Sequence, residues 1–243
     1  MIEVASAVER GAASDDAWIR WRAARLDGAA GELPAIPGQD AEGGFFGPSG
    51  RTSPGATALE LCRLTVLGQD VSGPAVIAAD WLQEVRTPAE AWLDAPDDVP
   101  GELDTPAAGR VWATAAAACA LLAVDRDPGP RAIVLLRGEA DMEGRFTGGA
   151  YPTFAAAGAY WLAEGPRTEM AEWALRWTRE WDEEWWGPEE FATALTFWAA
   201  ARIPPDHPSV EAFIDRLQEQ VTPDHDVSTL VAAAELGVHF GAL

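Results

Sequence analysis

Residues 114–125 read TAAAACALLAVD. One threonine is followed by small and aliphatic residues, with no polar side chain until Asp125. The apolar–polar alternation of a half-buried strand is absent. Alanine and leucine favour helix, so the stretch reads as a helix with neighbours on every side. Four further stretches repeat the pattern: TALELCRLTVLG at 57–68, TFAAAGAYWLAEG at 153–165, TALTFWAAARI at 193–203 and TLVAAAELGVHF at 229–240. The leading threonines, Thr57, Thr114, Thr153, Thr193 and Thr229, lie 57, 39, 40 and 36 residues apart. The fifth residue after each is Cys62, Cys119, Gly158, Trp198 or Ala234, small or apolar every time. The first stretch departs from the rest by carrying Glu60 and Arg63.

A more polar partner helix follows each of the first four: 74–86, 128–138, 168–181 and 208–220. Each begins near a Pro or Thr, a helix-start signal. Residues 6–26 are also helical by pattern, as the start of an N-terminal helix and linker over 1–41. A second motif marks the turns. It reads Glu42-Gly43-Gly44-Phe45-Phe46-Gly47, then Glu143-Gly144-Arg145-Phe146-Thr147-Gly148, then Asp182-Glu183-Glu184-Trp185-Trp186-Gly187. Glycine permits the tight turn and the aromatic can pin it to the helix ends. Residues 87–106 break the rhythm and read as an insertion loop. The expectation is an all-α chain of stacked hairpins forming one domain over 1–243. About five apolar helices inside and five amphipathic helices outside would close as an α/α toroid.

Composition narrows the function classes. The 243 residues carry 17 basic and 39 acidic side chains, a net charge of −22, and every basic residue is arginine. Such a surface repels phosphate backbones and anionic lipid, so nucleic acid and membrane insertion are not expected. The longest uncharged run, 146–163, is broken by Thr147-Gly148-Gly149 and Pro152. The start of the chain lacks the basic and apolar segments of a signal peptide, and a cytoplasmic location is the expectation. Cys62 and Cys119 sit in apolar runs and read as buried reduced thiols.

These features resemble the repeats of terpenoid cyclases and protein prenyltransferases. Thr57-Ala58, Thr114-Ala115 and Thr193-Ala194 each open a pair, and aromatic-Gly turns separate the pairs. The run from Arg131 through Leu135 and Leu136 to Gly144-Arg145-Phe146 is similar to the turn motif of squalene–hopene cyclases. Ala140 stands where that motif has Gln, and Phe146 where it has Trp. The resemblance spans about 42–240. It implies the toroid and, for the protonation-initiated members, an Asp-x-Asp-Asp acid motif. The nearest string is Asp224-His225-Asp226, with Val227 in the last position. The resemblance places the acid at Asp226, with Asp224 and His225 as tuners. The chemistry needs a neutral carboxyl in a dry pocket, and a neighbouring carboxylate and a His supply charge repulsion and orientation. The plainer reading makes Asp224 or Asp226 an N-cap of the last helix.

Trp112, Tyr151, Tyr160, Trp161 and Trp198 fall on or beside the apolar helices. They are the candidate wall for a carbocation, whose charge aromatic faces stabilise. Core packing is the alternative for each. Trp173, Trp177, Trp181 and Trp185 recur every four residues and read as a packing seam. Asp104 reads as a helix cap, and Glu189 and Glu190 as first-turn residues. No Cys lies near His207, His225 or His239 in sequence, so no zinc site is expected. No phosphate loop and no Asp-Asp-x-x-Asp motif is present. A diphosphate substrate would bring Mg²⁺ with it. The functional expectation is a metal-independent cyclase acting on an isoprenoid in an apolar cavity. The alternative is a toroid that binds a hydrophobic ligand or a partner without chemistry. A carbohydrate-active α/α barrel with paired carboxylates is a third possibility.

Overall fold

The computed structural model describes residues 4–29, 31–101, 105–166, 168–181 and 186–242. The described residues form eleven α-helices and no strand, so the chain is all-α. The helices are α1 (Val4–Ala12), α2 (Ala17–Leu26), α3 (Pro54–Val66), α4 (Gly73–Glu84), α5 (Pro106–Ala123), α6 (Pro130–Arg137), α7 (Ala150–Glu164), α8 (Glu169–Glu180), α9 (Pro188–Ala200), α10 (Pro208–Gln220) and α11 (Val227–His239). A short 3-10 turn covers Pro96–Asp98. Local chemistry sets the starts. Asp16, Ser53, Ser72, Thr105 and Asp226 each accept a backbone N–H of the helix they cap. Proline sits in the first turn of α3, α4, α5, α6 and α10, where its missing N–H is not needed. The single helix expected over 6–26 is two, because Asp16 caps a new start at Ala17, its Oδ1 accepting the Trp18 N–H at 2.7 Å.

The chain packs as two compact units. The first holds Met1–Pro37, Glu183–Leu195 and Pro204–Leu243, and the second holds Gly38–Asp182 and Thr196–Ile203. In the first unit α1 and α2 pack on each other and on α11, and α10 also packs on α11. Arg22 of α2 and Glu235 of α11 form a buried two-pronged ion pair, Nη2 to Oε2 at 2.5 Å and Nε to Oε1 at 2.9 Å. Trp18 and Trp21 stack at 5.3 Å, and the Arg22 guanidinium lies over Trp18.

In the second unit α3, α5 and α7 lie side by side. Helix α4 packs on α3 and α5, α6 on α5 and α7, and α8 on α7. This is an apolar inner row with an outer row on its back. Helix α5 is buried over almost its whole length, whereas α6 buries only Ala132 and Leu136. Small residues let the inner helices close up. A Cβ on Gly158 of α7 would lie 2.7 Å from Cys119 Sγ of α5. By length and composition α5 could cross a membrane, but 78% of it is buried within the protein.

One device recurs on α3, α5 and α7, in the first turn of α3 and α7 and two turns inside α5. In the turns starting at Asp40, Thr87 and Asp141, the first residue's N–H donates to the carbonyl four residues on. Its own carbonyl accepts from the residue three on. That third residue has positive φ: Gly43 at 107°, Glu90 at 59° and Gly144 at 93°. An aromatic comes next but one, and its N–H donates to the inner-helix threonine. The bonds are Phe45 to Thr57 at 2.8 Å, Trp92 to Thr114 at 3.2 Å and Phe146 to Thr153 at 3.0 Å. Thr57 and Thr153 pass their own hydroxyl proton back to the carbonyls of Ser53 and Gly149. Residues 87–92 are therefore a copy of the turn, and only the stretch after them is extra. The turn at 182–185 and the residue Asp104 lie outside the described residues.

Candidate functional site

The structure places Asp226 at the N-cap of α11. Its Oδ1 accepts Thr229 N–H at 3.0 Å and its Oδ2 accepts the Thr229 hydroxyl at 2.6 Å. These bonds hold the Asp226 carboxyl below its ordinary range, chiefly through the Thr229 hydroxyl. Asp224 and Asp226 are exposed and His225 is half-buried. His225 Nδ1 faces Thr222, 3.1 Å from its N–H, and its carbonyl accepts from Arg10 at 3.0 Å. An exposed carboxyl that favours its anion is the reverse of a proton donor's setting. Here the three residues make a capped turn held by Arg10.

Of the five aromatic candidates, three meet in the second unit. Trp112 of α5 contacts Tyr151 of α7 edge-on at 6.2 Å and Phe197 of α9 at 5.9 Å. Phe154 joins Tyr151 to Trp198 through contacts of 5.8 and 6.2 Å. The Trp198 indole N–H donates to the Phe154 carbonyl at 3.1 Å. Tyr160 is set apart: its hydroxyl donates to the Ile133 carbonyl at 2.8 Å and its ring lies against Phe146. Trp161 is half-buried near the end of α7. Trp177 is buried but Trp181 is 52% exposed, so the α8 stripe is a seam only in part.

Asp94, which sequence reasoning did not single out as a site residue, lies beside Trp112, and Asp98 lies near Asp94. Asp94 is 8% exposed and Asp98 is 5% exposed. Asp94 Oδ2 accepts the Gly55 N–H in the first turn of α3 at 2.9 Å. Asp98 accepts both the N–H and the hydroxyl of Ser49, each at 2.8 Å. Asp94 Oδ1 and Trp112 Nε1 are buried without a hydrogen-bond partner. The approach is close because residue 55 is glycine: a Cβ there would lie 2.0 Å from Trp112 Nε1 and 2.6 Å from Asp94 Oδ2.

Burial pushes the Asp94 carboxyl up from 3.8 to about 7, and the charge of Asp98 pushes the same way. The Ser53 hydroxyl, the Gly55 N–H and the nearby Trp112 indole N–H favour the anion but are outweighed. The indole does so from outside hydrogen-bond geometry. A carboxyl poised near neutrality in an apolar setting is what general-acid catalysis needs. A sequence signal exists for it. Asp94 comes two residues after the turn aromatic Trp92, where the other two turns have Gly47 and Gly148.

Other groups are less suited to chemistry. An open cleft of about 260 Å³ lies at the turn before α7, lined by Glu139, Asp141, Arg145, Phe146, Thr147 and Gly148. Glu139 is committed to Arg110 at 2.6 Å, and Asp141 to the N–H groups of Glu143 and Arg145. Cys62 and Cys119 are buried free thiols, and burial pushes Cys62 up, helped by its neighbour Cys119. Among the described residues no three His, Cys, Asp or Glu side chains are grouped to hold a metal ion. Glu189 and Glu190 sit in the first turn of α9. No protein-family model matches the chain, and no curated protein matches it.

Proposed function

We propose that the protein is a terpene cyclase-like enzyme whose helix pairs close as an α/α toroid. In this reading it donates a proton to an isoprenoid double bond, and the acid is Asp94 in place of Asp226. The supporting observation is the buried Asp94 carboxyl, held at about 7 near Asp98 and Trp112, with Tyr151 edge-on to Trp112. The proton of Asp94 forms a C–H bond with one alkene carbon, and the π pair supplies the electrons. The other carbon becomes a cation, which the aromatic faces stabilise while a second double bond closes the ring. The Asp94 carboxylate takes back a proton from a carbon next to the final cation, and the freed C–H pair forms the closing double bond. The net change is an isomerisation that needs no other reactant.

A second reading is favoured by one observation. Trp112, Tyr151, Phe154, Phe197 and Trp198 close on one another as an interior does. In that reading the second unit is a scaffold for a hydrophobic ligand or a partner. One experiment separates the two. Purified protein is incubated with farnesyl diphosphate, geranylgeranyl diphosphate and squalene, with and without Mg²⁺. Extracts are read by mass spectrometry beside Asp94→Asn and Asp226→Asn. A cyclised product lost in Asp94→Asn and kept in Asp226→Asn is the expected result. Loss only in Asp226→Asn returns the acid to α11. No product from the folded wild-type protein sinks the enzymatic reading.

A further inference from the structure

Asp94, Trp112 and Tyr151 are 8%, 2% and 6% exposed, so a ligand reaches them only if a covering segment moves. Residues 94–101 are one segment packed against them. The Asp94 carbonyl and the Val99 side chain press on Gly109 of α5, where a Cβ would lie 2.7 and 3.3 Å from them. A Cβ on Gly101 would lie 3.5 Å from the Tyr151 ring. The segment has little apolar anchorage. Pro96, Asp97 and Gly101 are exposed, and Val99 is its one buried apolar side chain. Its side-chain hydrogen bonds are those of two carboxylates, Asp94 on Gly55 and Asp98 on Ser49. Segments with few buried apolar contacts open locally at low free energy.

We propose that residues 94–101 form a lid over Trp112 and Tyr151, latched by the Asp94 and Asp98 carboxyls, that lifts to admit an apolar chain. The identity of the guest rests on the proton-transfer reading above, while the lifting stands on its own. The latch is linked to pH. Closed, Asp94 ionises at about 7; lifted into water, it returns towards 3.8. Opening therefore releases a proton between those values. The opening constant rises with pH across that window and levels off above it. The ionisable groups around the latch are few. Asp97 and Asp98 both lie on the lid itself. Arg51 reaches the Ser49 hydroxyl. Arg110 on α5 is paired with Glu139. The first turn of α3 carries no acidic residue.

Amide hydrogen exchange read by NMR tests this. The Gly55 and Ser49 amides, both bonded to the latch, are followed from about pH 4 to about pH 8 and corrected for intrinsic exchange. Their opening constant is expected to rise by about a thousandfold and then flatten. In Asp94→Asn it is flat throughout. The idea is overturned if Gly55 and Ser49 open with the same pH-independent constant as the middle of α3. Should the Asn variant fail to fold, the wild-type profile decides alone. The readout needs no substrate. A protein that forms no product yet shows the profile loses the proposed chemistry and keeps the lid.

Discussion

Replacing Asp94 with asparagine removes one ionisable group from the interior and little else. The amide keeps an oxygen for the Gly55 N–H and is close to the carboxyl in size. The consequence follows from linkage. In the unfolded chain Asp94 ionises near 3.8, and in the folded chain at about 7. Between those values the native state holds a proton that the unfolded state has lost. Native stability therefore falls as pH rises through the window, the reverse of an ordinary ion-paired carboxylate. Each pH unit inside the window is worth about 1.4 kcal/mol. From about pH 5 to about pH 8 the wild-type protein should lose about 3 kcal/mol through this one group. Small-domain stabilities are about 5–15 kcal/mol, so the loss is easily measured. The assay is urea unfolding of both proteins at about pH 5 and about pH 8. Asp94→Asn should gain about 3 kcal/mol on wild type between the two conditions. A stability difference that stays constant across pH would refute the reasoning, because Asp94 would then titrate alike in both states.

Three other substitutions probe the frame. Thr153→Val leaves the buried Phe146 N–H without its acceptor and should cost about 1–3 kcal/mol by chemical denaturation. Gly55→Ala puts a Cβ 2.0 Å from Trp112 Nε1. It should destabilise by about 1–3 kcal/mol and, by displacing the indole, change tryptophan fluorescence. Glu235→Ala removes the two-pronged carboxylate partner of the buried Arg22 in the first unit, with an expected cost of about 3–5 kcal/mol. The double change Arg22→Met with Glu235→Leu should recover most of that.

The helices were legible because their signals are local. Prolines and serines at the starts, alanine-rich runs and the recurring threonines all act within a few residues. The threonines stand for more than helix starts, however. Thr114 lies two turns inside α5, because its task is to receive the Trp92 turn. The copy at 87–92 escaped notice because Glu90 takes the positive φ that glycine takes elsewhere. The start of the chain was read as one helix, though Ser14-Asp15-Asp16 carries the stop and the next cap. At the candidate site, the resemblance to a cyclase acid motif pointed to Asp224-His225-Asp226. Its neighbours in space turn out to be solvent, Thr229 and Arg10. Asp94 had no such string. Its partner Gly55 is 39 residues away, and only the fold brings the two together.

The threonine hook also bears on how such a chain drifts and grows. Each fastening uses a backbone N–H from the turn and one hydroxyl from the helix. The residue between the positive-φ position and the ring differs in all three turns, being Gly44, Ala91 and Arg145. A duplicated hairpin would bring its own fastening with it. Selection would retain a threonine, a large ring and a capping side chain at the turn's first residue in each unit. Self-similarity fades from the sequence long before it fades from the architecture, and a segment such as 93–101 can be spliced in behind a ring without loosening its hook. Asp94 stands in such a graft, where new chemistry can be tried on a frame that is already secured.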